Sequence, residues 1–540
     1  MKLRARHDKI MLSLISCSAI ALFASTLLAA DEPIRLDSGL VSGKRVGDDV
    51  KIRAYLGIPF AAPPLGKLRW QPPRPPESWQ GVRECNSFGT TCPQAPYPAG
   101  SVYALAPQPQ SEDCLFLNVW TGADAPGDKR PVMVWIHGGA LTRGSSSLPV
   151  YDGAALARKG VVLVTINYRL GPFGYFAHPA LSKESPQGSS GNYGVLDQIA
   201  ALEWVKRNIA AFGGDPDRVT IFGESAGSWS VCSLVATPLA KGLFHRAIGQ
   251  SGGCFSPMHY LKTQRGPMPA AEKTGEGLAT ALGCGDAADP LAALRAKSTE
   301  EILAVATKQP AAARTRPNVD NWVFPDDIYN IYAKGQQNQV PVLLGSNADE
   351  ATSLAVPGLI PTKAESFVEA AKRKYADLSE RYLSTYPVTS DSDVRDAYLH
   401  TVRDEWFTWE MRTWARLTQK SGSKAYLYFF SRVPPRPDSK TYGAYHAAEI
   451  IYVFNNLDKA TWQSEPPDRA LADAMSSYWV RFAAAGDPNG NGQTAWPAYD
   501  PEKQSCLEFG DKIGQRNGVL RAQCEFFDDY YAAKRAEAAN

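Results

Sequence analysis

Arg218-Val-Thr-Ile-Phe222-Gly223-Glu224-Ser225-Ala226-Gly227 is the stretch on which the fold turns. Its first half reads as a short buried strand, and Ser228-Trp-Ser-Val-Cys-Ser-Leu-Val235 behind it reads as the start of a helix. A serine held in a sharp turn between such a strand and such a helix is a nucleophile elbow, and glycines flank it because the turn leaves no room for a β-carbon on either side. The bare Gly-x-Ser-x-Gly pattern is weak, since chance supplies roughly 0.3 matches in a chain of this length. A second match, Gly249-Gln-Ser251-Gly-Gly253, also follows a short apolar run, so neighbouring motifs must decide between the two.

Those neighbours favour Ser225. Arg130-Pro-Val-Met-Val-Trp-Ile136 is strand-like and ends in His137-Gly138-Gly139-Ala140, a glycine-rich loop able to turn backbone N–H groups toward one point. Such a loop builds an oxyanion hole. Acyl transfer also needs a base within reach of the serine and an acid that orients the base, and for this elbow the chain order is Ser, then Asp or Glu, then His. Of the seven histidines, His446 lies well downstream in Tyr445-His446-Ala-Ala-Glu-Ile-Ile-Tyr-Val-Phe454. The others are His7 near the start, His137 in the glycine-rich loop, and His178, His245, His259 and His400 in unmarked segments.

With these motifs in place, the chain resembles the type-B carboxylesterase and cholinesterase family of α/β-hydrolases. The likeness extends to Tyr55-Leu-Gly-Ile-Pro-Phe-Ala-Ala-Pro-Pro64, Ser111-Glu-Asp-Cys-Leu-Phe-Leu-Asn-Val119, Gly191-Asn-Tyr-Gly-Val-Leu-Asp-Gln198 and Phe212-Gly-Gly-Asp-Pro216, in family order. It implies a nucleophile at Ser225, a base at His446 and an acid in Gly345-Ser-Asn-Ala-Asp-Glu350. That acid is Glu350, with Asp349 as its competing neighbour. The same resemblance implies oxyanion donors on Gly139, Ala140 and Ala226, and makes Ser251 a supporting hydroxyl near the acid. Glu224, beside the nucleophile, is expected to tune the local field. The fold implied is a mostly parallel central sheet flanked by helices with long loop insertions. The chemistry implied is a two-step acyl transfer on a small-molecule ester without metal or organic cofactor.

The rest of the chain fits that frame. Buried strands are expected at Val132–Ile136, Val161–Ile166, Val219–Phe222, Val340–Leu344 and Ala425–Phe430. A helix is expected through Leu196, Ile199, Leu202, Val205 and Ile209, stopping at Gly213-Gly214. With no linker, repeat or charge block, residues 31–540 read as one catalytic domain. A hydrophobic content of 44% supplies a large core, and a net charge of +2 gives no nucleic-acid footprint. Lys2, Arg4, Arg6 and Lys9, an apolar run from Ile10 to Leu28 and the small residues Ala29-Ala30 read as a signal peptide over 1–30, hence a periplasmic or secreted protein not held to a membrane once the leader is removed. A retained anchor and a lipobox-like Leu14-Ile-Ser-Cys17 are the alternatives. Oligomeric state is left open.

Nine cysteines, eight of them beyond the leader, suit an oxidising compartment. The resemblance pairs Cys92 with Cys114. Separation alone suggests Cys254 with Cys284 and Cys506 with Cys524, and Cys232 is expected as a buried free thiol, with Cys85 unassigned. No tryptophan lies between Cys92 and Cys114, only Tyr97 and Tyr103 among aromatics, so the platform that holds choline in cholinesterases is missing.

Departures from the family carry the substrate information. Leu141-Thr-Arg143-Gly144 follows the oxyanion loop where relatives have an aromatic and a small uncharged residue, and Arg143 either faces the substrate or turns to solvent. The acyl-pocket loop reads Ala311-Ala-Ala-Arg314-Thr-Arg316, small and basic in place of bulky aromatics, and Trp229 replaces a small residue after the elbow. If Arg143, Arg314 and Arg316 turn inward, the pocket suits an acid part bearing extra carboxylates, such as the tricarballylate of fumonisins, because Arg matches carboxylates bidentately. A broad carboxylesterase on neutral acyl esters is the alternative, and a non-catalytic binding relative is disfavoured by the complete set of catalytic residue types.

Overall fold

The computed structural model describes residues 32–47, 51–104, 106–309, 315–355, 358 and 360–539. The leader expected over 1–30 and Arg314 lie outside them. At the centre is an eleven-stranded sheet. In chain order its strands are β1 (Lys44–Arg45), β2 (Arg53–Pro59), β3 (Phe116–Thr121), β4 (Arg130–Ile136), β5 (Val162–Ile166), β6 (Gly214–Glu224), β7 (Arg246–Gln250), β8 (Val342–Asn347), β9 (Ala425–Phe430), β10 (Ser505–Phe509) and β11 (Ile513–Asn517). Their spatial order is β1-β2-β3-β5-β4-β6-β7-β8-β9-β10-β11. The run from β5 to β10 is parallel, and antiparallel pairs extend it at both edges.

The apolar runs form strands because both faces of the sheet are covered. Along β4, Val132, Val134 and Ile136 join the core on one face, while Met133 and Trp135 join the core on the other. The first face packs under helix α1 (Tyr193–Asn208) and helix α2 (Ala226–Ala236) through Ile199, Leu202, Val205, Val231 and Leu234. The second packs under helix α3 (Pro466–Ala485) through Met475, Trp479 and Phe482. Helix α1 stops as its sequence predicts: a short 3-10 turn, Ile209–Phe212, leads to Gly213 at φ 78°, a left-handed cap that glycine adopts without strain.

Two expected strands move. Val340–Leu344 becomes Val342–Asn347, because Pro341 has no N–H to give to the ladder and only its carbonyl bonds, to Ala247. Val219–Phe222 lengthens to Gly214–Glu224, carrying the strand up to the elbow. Register then brings the carboxyl ends of four parallel strands level, with Gly223 opposite both Ile136 and Gly249, and Gln250 opposite Gly345. In open α/β sheets this edge is where ligands bind.

Candidate active site

Ser225 has φ 56° and ψ −122°, in the left-handed half of the map that non-glycine residues avoid. Such strain costs about 1–3 kcal/mol and persists only where its surroundings force it. Here the Ser225 N–H donates to the Gln250 carbonyl at 2.8 Å, and its own carbonyl accepts from Trp229 N–H at 2.9 Å. The flanking glycines are dictated by contact. A β-carbon at Gly227 would overlap the Ile136 carbonyl oxygen, and one at Gly223 would lie 2.6 Å from that same oxygen.

Backbone shape alone does not separate the two serines, since Ser251 also has φ 55° at the end of its own strand. Burial does. Ser251 is 0% exposed, whereas Ser225 is partly open to solvent. The expected supporting hydroxyl is not found: the Ser251 N–H donates to Gly345 at 2.8 Å, but its Oγ has no hydrogen-bond partner and so does not hold the acid.

The glycine-rich loop after β4 lies against the elbow. A β-carbon at Gly138 would sit 3.2 Å from Ser225 Cβ and 2.9 Å from a Glu224 carboxylate oxygen. Gly139 (φ 107°), Ala140 (φ 57°) and Leu141 (φ 60°) follow with positive φ, a strained run that persists only where its surroundings hold it. Gly139 O accepts from Thr142 and Arg143 N–H, at 3.0 and 2.9 Å, closing the turn. His137 is spent on structure: its ring stacks on Tyr168 at 4.6 Å, its Nδ1 lies 2.8 Å from Gly138 O, and burial pulls it down to about 4, so it stays neutral.

Glu350 and His446 meet next to Glu224. Glu350, 0% exposed, opens a short turn after β8, and its Oε1 accepts the Asn347 N–H at 2.7 Å. Its Oε2 lies 2.6 Å from His446 Nδ1. Asp349 turns away and accepts from the Ala444 N–H at 2.8 Å, so of the two neighbours Glu350 faces the imidazole. The Phe407 ring packs at 4.7 Å against the imidazole. His446 Nε2 points back to the elbow, 3.1 Å from Glu224 Oε1, a buried oxygen with no hydrogen-bond partner.

Charge in this site is concentrated on one ring. Burial opposes protonation of His446, but Glu224 and Glu350 outweigh it and hold the imidazole up at about 9. Burial also pushes the Glu224 carboxyl well above its ordinary range, and Glu224 carrying a proton cannot also raise His446. The two groups therefore titrate as one pair across the 3.1 Å gap. Glu350, which is nearer to the ring and holds a backbone N–H as well, supplies the steady part of the upward pull, and Glu224 adds to it when it carries the negative charge of the pair.

One participant was absent from the sequence reading. Glu449, 0% exposed, accepts from Gln250 Nε2 at 2.9 Å and from Asn347 Nδ2 at 2.7 Å. It thereby braces the strand ends that hold Ser225 and Glu350. The signal was an acid three residues after the histidine inside an otherwise apolar run.

The basic residues divide. Arg143 Nε donates to the carbonyls of Ala95 and Pro96 at 3.0 and 3.3 Å, and its guanidinium lies 5.4 Å from the centre of the Tyr97 ring. It is thus fixed beside the glycine-rich loop rather than extended into solvent. Arg316 is exposed, with its guanidinium 5.6 Å from the centre of the Trp229 ring. Trp229 in turn packs on Gly252, where a β-carbon would meet Trp229 Nε1 at 2.9 Å. That contact gives Trp229 a role the sequence did not show.

Cysteine pairing follows the family only in part. Cys92 and Cys114 form a disulfide. Cys254, Cys284, Cys506 and Cys524 are free thiols, correcting the two pairings suggested by separation. Separation along the chain says nothing about distance in space, and Cys254 Sγ instead bonds the Trp229 carbonyl at 3.3 Å. Cys232 is a buried free thiol, as is Cys85.

A family model described as the carboxylesterase family matches residues 30–527. Fumonisin B1 esterase of Sphingopyxis macrogoltabida is 36% identical over 526 residues, covering 94% of this chain and 91% of that protein. Para-nitrobenzyl esterase of Bacillus subtilis is also 36% identical, over 479 residues, covering 86% and 93%. Among solved structures, a PNB esterase superposes with a TM-score of 0.77 at 32% identity, covering 92% of this chain and 99% of that one.

Proposed function

Because this chain belongs to the carboxylesterase family and is a carboxylic ester hydrolase, we propose that it works through an acyl-enzyme on Ser225 and prefers esters whose acid part carries further carboxylates. The observation that carries the first half is the strained Ser225, whose chain neighbour Glu224 lies 3.1 Å from His446 Nε2, together with the 2.6 Å contact between His446 Nδ1 and Glu350. His446 Nε2 takes the Ser225 hydroxyl proton as Oγ attacks the ester carbonyl, and the N–H groups of Gly139, Ala140 and Ala226 receive the oxyanion. The same nitrogen then gives that proton to the leaving alcohol as the tetrahedral intermediate collapses. In the second step His446 deprotonates water, which attacks the acyl group and frees the acid. Glu350 keeps Nδ1 protonated throughout and stabilises the imidazolium.

The base must be neutral to accept a proton, so activity rises with pH through the pKa of the His446 pair. Removing a neighbouring carboxylate lowers that pKa and moves the acid limb toward lower pH. Glu224→Gln is expected to shift the acid limb of kcat/KM downward by about 1 unit. A pH profile of the two enzymes on one neutral ester checks it, and an unmoved limb would remove Glu224 from the pair.

What supports the second half is Arg143. Both of its hydrogen bonds use Nε, and the terminal nitrogens of a guanidinium carry four further donors suited to a carboxylate. The relative named fumonisin B1 esterase supports the same reading, with Arg316 on Trp229 as a second cation beside the elbow helix. Tricarballylate esters are the substrates this pocket suits best. Arg143→Ala is expected to lower kcat/KM on a tricarballylate ester by roughly 10- to 150-fold, about 1.5–3 kcal/mol, and to spare a neutral ester of the same alcohol. Equal losses on both would return the enzyme to the second reading, a broad carboxylesterase, which the equally similar para-nitrobenzyl esterase supports.

A further inference from the structure

The loop closed by Cys92 and Cys114 sends one side chain into the catalytic machinery, and no motif marks it. Tyr103 OH donates to the main-chain carbonyl of His446 at 2.9 Å and lies 2.7 Å from Ser353 Oγ. A carbonyl can only accept, so the single phenolic proton goes to His446, and the Ser353 hydroxyl must donate to the phenol oxygen. The chain of donors therefore runs one way, from Ser353 through Tyr103 to His446, and each bond polarises the next. Ser353 ends the same short turn that Glu350 begins, so a single phenol ties the acid-bearing turn to the base-bearing loop.

A second, independent feature shows why that carbonyl needs holding. Ala447, the next residue, has φ 70°, a conformation that a β-carbon resists. The peptide group joining His446 to Ala447 is therefore under torsional load, and the Tyr103 O–H is attached to that peptide's oxygen. Burial keeps the phenol protonated far above its usual range, so the donor is present at every working pH.

We propose that Tyr103 is a positioning residue for the base: it fixes the His446 peptide, and through it the reach of Nε2 toward Ser225. This rests on the assignment of His446 and Ser225 made above. It differs from any role in substrate recognition, because the phenol acts on main chain behind the imidazole.

The test is Tyr103→Phe, which keeps the ring and removes the proton. A misaimed base slows every step that moves the serine proton and leaves binding alone. The expected result on a neutral ester is a kcat lower by roughly 5- to 30-fold, with KM changed less than about 2-fold. Labelling of Ser225 by an organophosphonate should slow in proportion, with the melting temperature nearly unchanged. Ser353→Ala, which removes only the upstream donor, should give a smaller fall with the same split between kcat and KM. Wild-type kcat in Tyr103→Phe, or a loss that appears in KM and thermal stability instead, overturns the proposal. If Ser225→Ala itself remains active, the catalytic assignment fails; if that variant is dead while Tyr103→Phe is fully active, only the role of Tyr103 fails.

Discussion

Replacing Ser225 by alanine is expected to lower kcat by about 10⁵- to 10⁶-fold, while the protein folds as before. Alanine occupies the φ 56° turn no less easily than serine does, so the loss isolates the hydroxyl rather than the elbow. Because the nucleophile and base act as a unit, adding His446→Ala should cost almost nothing further. Turnover of one ester by the single and double variants, with circular dichroism as the folding check, measures this. The matched control is Ser251→Ala. That hydroxyl is fully buried without a partner, so its removal should leave turnover intact and stability level or slightly higher. An active Ser225→Ala with an inactive Ser251→Ala would reverse the choice between the two Gly-x-Ser-x-Gly stretches.

Glu350→Gln is the second large effect, expected at about 10³- to 10⁴-fold in kcat. The Asn347 N–H continues to bond to the amide oxygen, which leaves the amide NH₂ facing His446 Nδ1. Nδ1 must then become an acceptor, so the ring proton moves to Nε2 and blocks the nitrogen that should take the Ser225 proton. Loss of the carboxylate also removes an upward pull on an imidazole held at about 9, so the residual activity should persist to lower pH than in the wild type. Asp349→Asn separates the neighbours. Its oxygen can still accept from Ala444, so kcat should stay within about tenfold and stability within about 1 kcal/mol. Comparable kcat losses in both variants would mean that Glu350 has no special role.

The elbow and its strands were legible because contiguous buried runs such as Val132–Ile136 can be little else in a two-face-covered sheet, and because Gly223 and Gly227 are forced by contact with the next strand. The edge strands were not. Lys44–Arg45 and Ile513–Asn517 are short and largely exposed, and pairing rather than composition makes them strands. Family order pointed to Ser225, Glu350 and His446, but only the folded chain shows that Glu350 rather than Asp349 faces the ring. The direction of Arg143 was unreadable for a physical reason: what fixes it are the carbonyls of Ala95 and Pro96, 48 and 47 positions away. Main-chain acceptors leave no trace in residue type. The same holds for Tyr103, whose partner is the carbonyl of His446.

The level register of the strand ends has a consequence for how such an enzyme diversifies. Ser225, the glycine-rich loop and Glu350 all hang from backbone that is hydrogen-bonded strand to strand, with Gly223 opposite Ile136 and Gly249. Arg143, Trp229 and Arg316 sit on the segments that leave that edge. Mutations that change what is accepted therefore need not disturb how it is cleaved. On the substrate-binding role proposed for those positions, a lineage can change which ester is accepted while the reaction is inherited unaltered, and screening libraries confined to them should return altered selectivity more often than dead protein.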